Sequence, residues 1–387
     1  ETMKKLFAML LALCMVVGLC ACGSSNPPAD SQSPVADSSA PADSTAPAQP
    51  GTEGGAEIAL LIQYPNEAGI NDKSYCQACW EGVSAYAEAN GKTYAYYQPT
   101  DTSLEGYLAA FELAVNNGAK VICCASYMFG DSLAAAQEKW PDVHFIGVDV
   151  MTLPSVAENT CSIVFNTTEG TFFAGAAAVY EGYTNLGVLN AVDNPPVNSW
   201  QYGFIQGANW AAGQLGLSDV TVKAYYVGSG EASPEVQALA STWYESGVQC
   251  IFANMGGGNT SIFSAAEASG TVAIGCDTDQ AGESETVITS AIKELGKELG
   301  VALDSYYNDT FKGGVVTTVG VKDDAVGLAI SSSRMTKYTA DIYAEQYQMM
   351  KDDVDGMYSS LINFGQVADL NELASKMTNI TVTVIAD

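Results

Sequence analysis

Short apolar runs alternate with segments of helical period from Ala56 onward, and this alternation constrains the fold more than any other feature. The runs predicted as strands are 57–64, 93–98, 120–126, 144–150, 161–166, 185–192, 220–227, 249–255, 271–277 and 315–321. The segments predicted as helices are 77–90, 104–116, 132–140, 168–181, 199–215, 234–245, 260–268, 286–307 and 338–357, with an edge strand expected at 380–385. Parallel strands need a crossover connection, usually a helix, so this order predicts an α/β fold with parallel sheets covered on both faces.

Three short matches occur in the same order in both halves of the chain and indicate an internal repeat. Gly82 and Gly91 are nine residues apart, as are Gly207 and Gly216. Residues 117–122 parallel 246–251, and Ile-Gly-Val-Asp at 146–149 parallels Ile-Gly-Cys-Asp at 274–277. One α/β unit used twice predicts two Rossmann-like lobes facing each other across a ligand cleft. Chance similarity is the alternative, because parallel α/β folds favour glycine before strands. The expected first lobe is 56–160 with 280–310, and the expected second lobe is 161–279 with 311–387.

The charge of the chain is strongly acidic. Its 387 residues carry a formal net charge of −29, and the 15 Lys and Arg residues include a single arginine, Arg334. Nucleic-acid binding requires clustered basic side chains against phosphates, so this composition argues against it. A hydrophobic content of 48% is enough for a sizeable core.

The first 55 residues carry export signals rather than a fold. Lys4 and Lys5 precede an apolar run, 6–19, that is too short for a mature transmembrane helix. The following Leu-Cys-Ala-Cys resembles the lipobox of bacterial lipoproteins, which implies a signal peptide at 1–21 and a diacylglycerol-modified, palmitate-bearing Cys22. Cys20 is the competing position, and an ordinary secretory peptide is the alternative. Residues 22–55 are rich in Ser, Pro and Ala and are expected to be a disordered tether to the outer face of the membrane.

The remaining seven cysteines do not form an obvious disulfide framework, because their number is odd and most lie in apolar runs. Cys76-Gln77-Ala78-Cys79 has the spacing of a redox or zinc motif. With His144 as the only histidine, neither a zinc site nor a catalytic triad is expected. The sequence therefore predicts a protein without catalytic residues, metal or cofactor.

Residues 69–82 form a loop between a predicted strand and a predicted helix. Loops at the carboxyl ends of parallel strands are where α/β proteins place ligands. The polar and aromatic candidates in this loop are Asn71, Asp72, Tyr75, Gln77 and Trp80. Their amide, carboxylate and ring groups suit a heterocycle with donor and acceptor edges. The alternative is that Asn71 or Ser74 caps the helix and Trp80 belongs to the core.

Further candidates follow other strands. Asp149 and Asp277 each end an Ile-Gly-x-Asp strand and are expected to face the cleft, with capping of the next helix as the alternative. Lys293 is a candidate partner of Asp277 and of a ligand hydroxyl; otherwise it is a solvated helix lysine. Trp200 and Phe204 are candidate stacking residues. Gly257 lies in a Gly-Gly-Gly turn that permits close backbone approach, without the Lys-Ser/Thr of a Walker loop.

These motifs resemble the basic membrane protein family of bacterial substrate-binding lipoproteins, whose best-known members bind purine nucleosides for ABC importers. The resemblance is carried by residues 69–75, 80–82, 141–149, 169–175, 203–208, 277–280 and 289–293. It implies a type I periplasmic-binding-protein fold. It also implies that Asn71, Asp72 and Asp149 address the base, that Trp80 stacks on it, and that Asp277 and Lys293 hold the ribose hydroxyls.

The chain departs from the family pattern at Tyr75 and Cys76, where Phe and Asn are usual, at 190–192, where Gly-Gly is common, and at the bulky Trp200. The sequence and this resemblance together predict a lipid-anchored extracytoplasmic protein that captures a small molecule and delivers it to ABC permease and ATPase subunits. The resemblance implies that this molecule is a purine nucleoside. The alternatives are the same fold with another small polar ligand, a ligand sensor, and a nucleoside hydrolase or thiol redox enzyme.

Overall fold

The structure is a computed structural model that describes residues 55–63 and 69–385. The predicted signal peptide, Cys22 and all of the predicted tether except Gly55 lie outside these residues. The described residues belong to one compact unit. Within them, no helix is both long and apolar enough to cross a membrane.

Strands and helices alternate as the sequence predicts. The strands are β1 (Ile58–Ile62), β2 (Tyr94–Tyr97), β3 (Val121–Ala125), β4 (His144–Val148), β5 (Thr160–Phe165), β6 (Asn185–Asn190), β7 (Val220–Tyr226), β8 (Cys250–Asn254), β9 (Val272–Asp277), β10 (Val287–Lys293), β11 (Val315–Val319), β12 (Val326–Leu328) and β13 (Ile380–Val384). The helices are α1 (Tyr75–Ala89), α2 (Leu104–Asn116), α3 (Gly130–Lys139), α4 (Thr167–Glu181), α5 (Pro195–Leu215), α6 (Pro234–Glu245), α7 (Asn259–Ser269), α8 (Leu295–Tyr307), α9 (Ala340–Lys351) and α10 (Leu370–Ser375).

Two separate sheets organise these elements. The first has the order β11-β5-β4-β3-β1-β2 and is parallel throughout. The second has the order β12-β10-β9-β8-β6-β7-β13, and only its β10–β12 pair is antiparallel. The predicted edge strand at the carboxyl end is confirmed as β13. The α/β fold class with parallel sheets is confirmed as well.

Helix α1 shows how the local sequence positions an element. Its buried residues are Cys76, Cys79, Val83 and Ala87, whose spacing of three or four places them on one face of a helix. That face packs on the first sheet and leaves the polar face outward. Helices α4 and α5 lie so close together that a Cβ atom at Gly175 would overlap the carbonyl of Phe204. Only glycine permits that separation.

The expected division into lobes needs correction at three strands. β5 and β11 pair within the first sheet, although the sequence assigned 161–166 and 315–321 to the second lobe. β10 pairs within the second sheet, although 286–307 was expected to be one helix of the first lobe. β10 is buried on both faces, and a short apolar run of this kind has no periodicity that separates a strand from a helix.

We therefore define the first lobe as the six-stranded sheet with α1, α2, α3 and α8, and the second lobe as the seven-stranded sheet with the other helices. Helix α8 packs on α1, where a Cβ at Gly82 would lie 2.6 Å from the Cα of Gly296. The chain crosses between lobes after β5, after β10 and after β11. The expected crossings near Gln280 and Phe311 are thus displaced toward the carboxyl end, because β10 and β11 extend the two sheets.

Candidate functional site

A cavity of about 920 Å³ lies between the carboxyl ends of strands from both sheets. The first lobe contributes the segments that follow β1, β3 and β4, and the second lobe contributes those that follow β6 to β9 together with the end of β10. Eight of the eleven predicted ligand residues line it: Asn71, Asp72, Tyr75, Asp149, Trp200, Gly257, Asp277 and Lys293. The structure thus brings together residues separated by more than two hundred positions in the sequence.

Asp72 holds the amino terminus of α1. Its Oδ1 accepts hydrogen bonds from the backbone N–H groups of Ser74 and Gln77, each at 3.0 Å, and its Oδ2 accepts from Cys76 N–H at 2.9 Å. Burial raises the pKa of Asp72, and the three N–H donors offset part of that rise. Ser74 occupies the N-cap position without a capping side-chain bond, so the sequence alternative that Ser74 or Asn71 caps the helix is wrong.

Lys293 lies between two carboxylates. Its Nζ donates to Asp149 Oδ2 at 2.6 Å and lies 3.7 Å from Asp277 Oδ1. All three residues are less than 10% exposed. Burial alone lowers the pKa of Lys293, but the charges of Asp149 and Asp277 outweigh it, so the net pKa is raised and the ammonium form persists. Lys293 ends strand β10 and is therefore not a solvated helix lysine.

Aromatic rings complete the surroundings of this ammonium group. Lys293 Nζ lies 4.9 Å from the ring centre of Tyr75 and 5.0 Å from that of Trp200. Cations within about 6 Å of an aromatic ring are attracted by its electron-rich face. Tyr75 is held in place because its hydroxyl donates to Val148 O at 3.0 Å. Tyr75 and Trp200 thus contact the ammonium group of Lys293 and also border the cavity.

The two Ile-Gly-x-Asp motifs share one backbone geometry. Asp149 and Asp277 have φ angles of 56° and 68°, in the left-handed region that aspartate enters more readily than most residues. Both follow or end a central strand of their sheet, as an internal repeat predicts. Asp149 Oδ1 accepts from Phe165 N–H at 3.0 Å, at the crossing between lobes, so Asp149 does not cap a following helix.

Three predicted ligand residues lie outside the cavity lining. Trp80 packs against Tyr94 and Tyr96, with both ring centres 5.2 Å away. Gln77 Nε2 donates to Glu81 Oε1 at 2.9 Å on the outer part of α1, and Phe204 stacks on Phe252 in the core at 5.1 Å. None of these three side chains lines the cavity: Gln77 and Trp80 lie on other faces of α1 than Tyr75, and Phe204 lies on α5 with its ring in the core.

Several lining residues were not identified as candidates from the sequence: Ser126, Tyr127, Asn194, Ser229, Glu231, Asn254 and Thr260. All follow or end a strand or begin the next helix, which is the one sequence signal they share. Single polar residues at strand ends are too common for that signal to select them. Their role depends on which strand ends the two sheets bring together.

Hydrogen bonds join the two lobes across the cleft. Ser74 Oγ donates to Asp277 Oδ2 at 2.7 Å, and Gln280 Nε2 donates to the carbonyl of Lys73 at 2.9 Å. Asn194 Nδ2 donates to the hydroxyl of Tyr127 at 2.8 Å. Each of these bonds joins a residue of the first lobe to a residue of the second. We call this arrangement, with the two lobes in contact, the closed form of the cleft.

The cysteines of the described chain are free thiols, and six of these seven are buried. Burial raises the pKa of Cys76 and of Cys79 well above that of an ordinary thiol, which keeps both sulfurs protonated. Within residues 55–63 and 69–385, no group of three or more His, Cys, Asp or Glu side chains is arranged to hold a metal ion. The CxxC spacing thus coincides with a buried helix face.

Two lobes, each built on a sheet, enclose a cavity whose lining carries carboxylate, amide and aromatic groups, which is the architecture of a protein that binds a small molecule between its lobes. The family model for ABC transporter substrate-binding proteins of the PnrA-like type (Bmp) matches residues 60–367, and the chain belongs to this family. Its fold and relatives are those of binding proteins rather than enzymes.

Named relatives agree with this assignment. The chain is 26% identical to the "ABC transporter nucleoside-binding protein BmpA" of Lactococcus lactis subsp. cremoris, over 79% of this chain and 90% of that protein. It is 25% identical to "Basic membrane protein A1" of Borrelia garinii subsp. bavariensis, over 79% and 86%. Among solved structures, an ABC transporter solute-binding protein from Aeropyrum pernix K1 superposes with a TM-score of 0.69 at 18% identity, covering 82% of this chain and 95% of that one.

Proposed function

We propose that this protein captures a nucleoside and delivers it to an ABC importer. The observation that carries the proposal is the cavity of about 920 Å³ between two lobes, within the usual size range of small-molecule sites and lined by aromatic rings together with carboxylate and amide groups. Support for a nucleoside comes from the family and from the Lactococcus lactis relative, whose name states nucleoside binding. Because the chain departs from the usual family residues at Tyr75, Cys76 and Trp200, we expect its preference among nucleosides to be its own.

Capture depends on closing the cleft. A ligand that contacts both lobes adds to the bonds from Ser74, Gln280 and Asn194 and shifts the protein toward the closed form. The buried ion pair between Asp149, which follows β4 of the first lobe, and Lys293, which ends β10 of the second lobe, likewise joins the lobes in the closed form. A permease would then recognise the closed pair of lobes.

The binding proposal is tested by calorimetry on protein that has been unfolded, dialysed and refolded to remove any copurified ligand. Titration with adenosine, guanosine, inosine, cytidine and uridine is expected to give saturable heat with at least one of them. Arabinose and ribose serve as controls from a different ligand class. Saturable heat with a sugar and none with any nucleoside would overturn the proposal.

We further propose that the protein is held at the outer face of the membrane by lipid on Cys22. The support is the lipobox-like sequence and the extracytoplasmic work of substrate-binding proteins of ABC importers. Expression of the full chain in a bacterial host is expected to give palmitate labelling and recovery in the membrane fraction. Cys22→Ala should abolish both, whereas the matched variant Cys20→Ala should retain them. Labelling that is lost in Cys20→Ala instead would contradict the assignment.

A further inference from the structure

The four carboxylates that line the cavity differ in what they contact. Asp72, Asp149 and Asp277 all accept hydrogen bonds from the protein itself. Within residues 55–63 and 69–385, the side chain of Glu231 has neither a hydrogen-bond partner nor an ion-pair partner. Among the described carboxylates of the lining, Glu231, a solvent-exposed residue, is therefore the one whose full acceptor capacity remains for a ligand.

A fixed backbone presents Glu231 to the cavity. The segment 228–232 follows β7, and Gly230 O accepts a hydrogen bond from Gly258 N–H at 2.8 Å. Glu231 N–H donates to Ser229 Oγ at 3.1 Å, and Ser233 N–H donates to Ser261 Oγ at 2.9 Å. These contacts tie the segment to the turn after β8 and the start of α7, which borders the same cavity.

Asn254 provides a second acceptor on this side of the cavity. It is only 4% exposed, and its amide nitrogen donates to Asn190 Oδ1 at 2.7 Å and to Val197 O at 2.9 Å. A backbone carbonyl can only accept, so the contact with Val197 fixes the amide orientation. Asn254 Oδ1 is left without a hydrogen-bond partner in the described chain, at a residue that lines the cavity. This oxygen is not among the fully buried side-chain atoms of the described chain that lack a partner, so a ligand donor or a water can reach it from the cavity.

The charge of the cavity lining also favours a ligand that carries N–H donors. Among the described residues, the lining holds four carboxylates, Asp72, Asp149, Glu231 and Asp277, and two ammonium groups, Lys73 and Lys293. Lys293 is committed to two of those carboxylates, and Lys73 lies 3.9 Å from Glu283. The one buried ammonium group among the described lining residues, that of Lys293, is therefore not free to receive a phosphate, whereas N–H donors meet unpaired acceptors.

We infer that Glu231 and Asn254 select an unphosphorylated ligand that carries an amino group. This inference rests on the proposed function and narrows it to amino-bearing nucleosides, such as adenosine and cytidine, over their oxo counterparts, inosine and uridine. An exocyclic amino group offers two N–H donors to these two acceptors, whereas the oxo counterpart offers a single ring N–H beside a carbonyl oxygen that the acceptors repel. A nucleoside monophosphate brings added negative charge into a cavity that is already acidic.

The test compares adenosine with inosine, cytidine with uridine, and adenosine with its 5′-monophosphate by calorimetry at pH 7. The amino-bearing member of each pair is expected to bind about tenfold more tightly, the difference of one charge-assisted hydrogen bond. The monophosphate should bind more weakly than adenosine. Glu231→Gln, which keeps size but removes charge, should reduce the amino preference, and Glu245→Gln, an exposed change on α6 of the same lobe, should not.

The outcomes separate the inference from the proposed function. If no nucleoside binds, the proposed function itself fails. If nucleosides bind but amino and oxo members are equal, or Glu231→Gln leaves the preference unchanged, the inference fails and the function stands. Asn254→Asp provides a second variant, because it retains Oδ acceptors while circular dichroism reports whether the fold survives loss of the two amide donors. A native-like Asn254→Asp protein that loses all preference for the amino group would also contradict the inference.

Discussion

The hydrogen bond from Ser74 to Asp277 allows the closing of the cleft to be tested without altering the cavity wall. Ser74 belongs to the first lobe and is fully buried, yet it does not line the cavity. Its Oγ donates to Asp277 Oδ2 of the second lobe at 2.7 Å. Ser74→Ala removes this bond and leaves the cap of α1 intact, because Asp72 supplies that cap.

The size of the effect follows from the charge of the acceptor. A hydrogen bond to a charged group contributes about 1.5–3 kcal/mol. When the lobes separate, water replaces the partner of both groups, so the loss falls on the closed form alone. Since each 1.4 kcal/mol is about tenfold in affinity, Ser74→Ala should weaken ligand binding by about ten- to a hundredfold.

Two measurements check this expectation. Calorimetry with adenosine and inosine gives the affinity, and small-angle X-ray scattering of the unliganded protein should show a larger radius of gyration for Ser74→Ala than for wild type. The matched control is Ser84→Ala, whose hydroxyl donates to Trp80 O at 2.7 Å within α1 and does not cross the cleft. Wild-type affinity together with wild-type scattering in Ser74→Ala would refute the closing role of this bond.

Three further predictions concern other residues of the site. Trp80→Ala should lower the free energy of unfolding by about 1–3 kcal/mol, less than for a fully buried tryptophan, while leaving affinity unchanged; weaker binding at native stability would return Trp80 to the site. Gly257→Ala should fold normally, because the added Cβ would lie at an ordinary contact distance, 3.9 Å, from Asp72 Cβ. It should bind ligand more weakly in calorimetry, because the methyl group takes up space at the cavity wall; equal binding would show that the ligand does not use this wall. Lys293→Met leaves two buried carboxylates unpaired and should cost about 3–5 kcal/mol of stability in urea denaturation. The pKa of Lys293 is raised above its ordinary value of 10.5, so the stability that its charge contributes is complete below that pH and is lost only above it. The difference in the free energy of unfolding between Lys293→Met and wild type should therefore be constant between pH 7 and 9. A difference that shrinks in that range would contradict the ion-pair assignment.

Local patterns carried much of the fold. The ten strands predicted from apolar runs all occur, with ends shifted by a few residues, because a buried parallel strand must be apolar and must be followed by a crossover. β10 escaped detection because its buried run, continuous with α8, has no period of its own. Its pairing with β9 on one side and β12 on the other is what identifies it as a strand.

The site residues were predictable where a charged side chain lies at the end of a strand. Asp149, Asp277 and Lys293 stood out because carboxylates after Ile-Gly-x and a rare cation are unusual in this chain, and all three meet in the structure. The sequence could not show that Trp80 lies outside the cavity lining, because the position of a residue in a helix does not identify the neighbours of its side chain, here Tyr94 and Tyr96.

The sequence by itself determined the α/β class, the repeated unit, the acidic character and the strand-end loops that form the cavity, since each depends on residues near one another in the chain. Only the tertiary structure decided which sheet holds β5, β10 and β11, which carboxylates are paired, and that Glu231 and Asn254 border the same cavity as Asp72. These properties depend on contacts between residues far apart in sequence, and the free energy of such contacts is set by packing and burial that no local pattern contains.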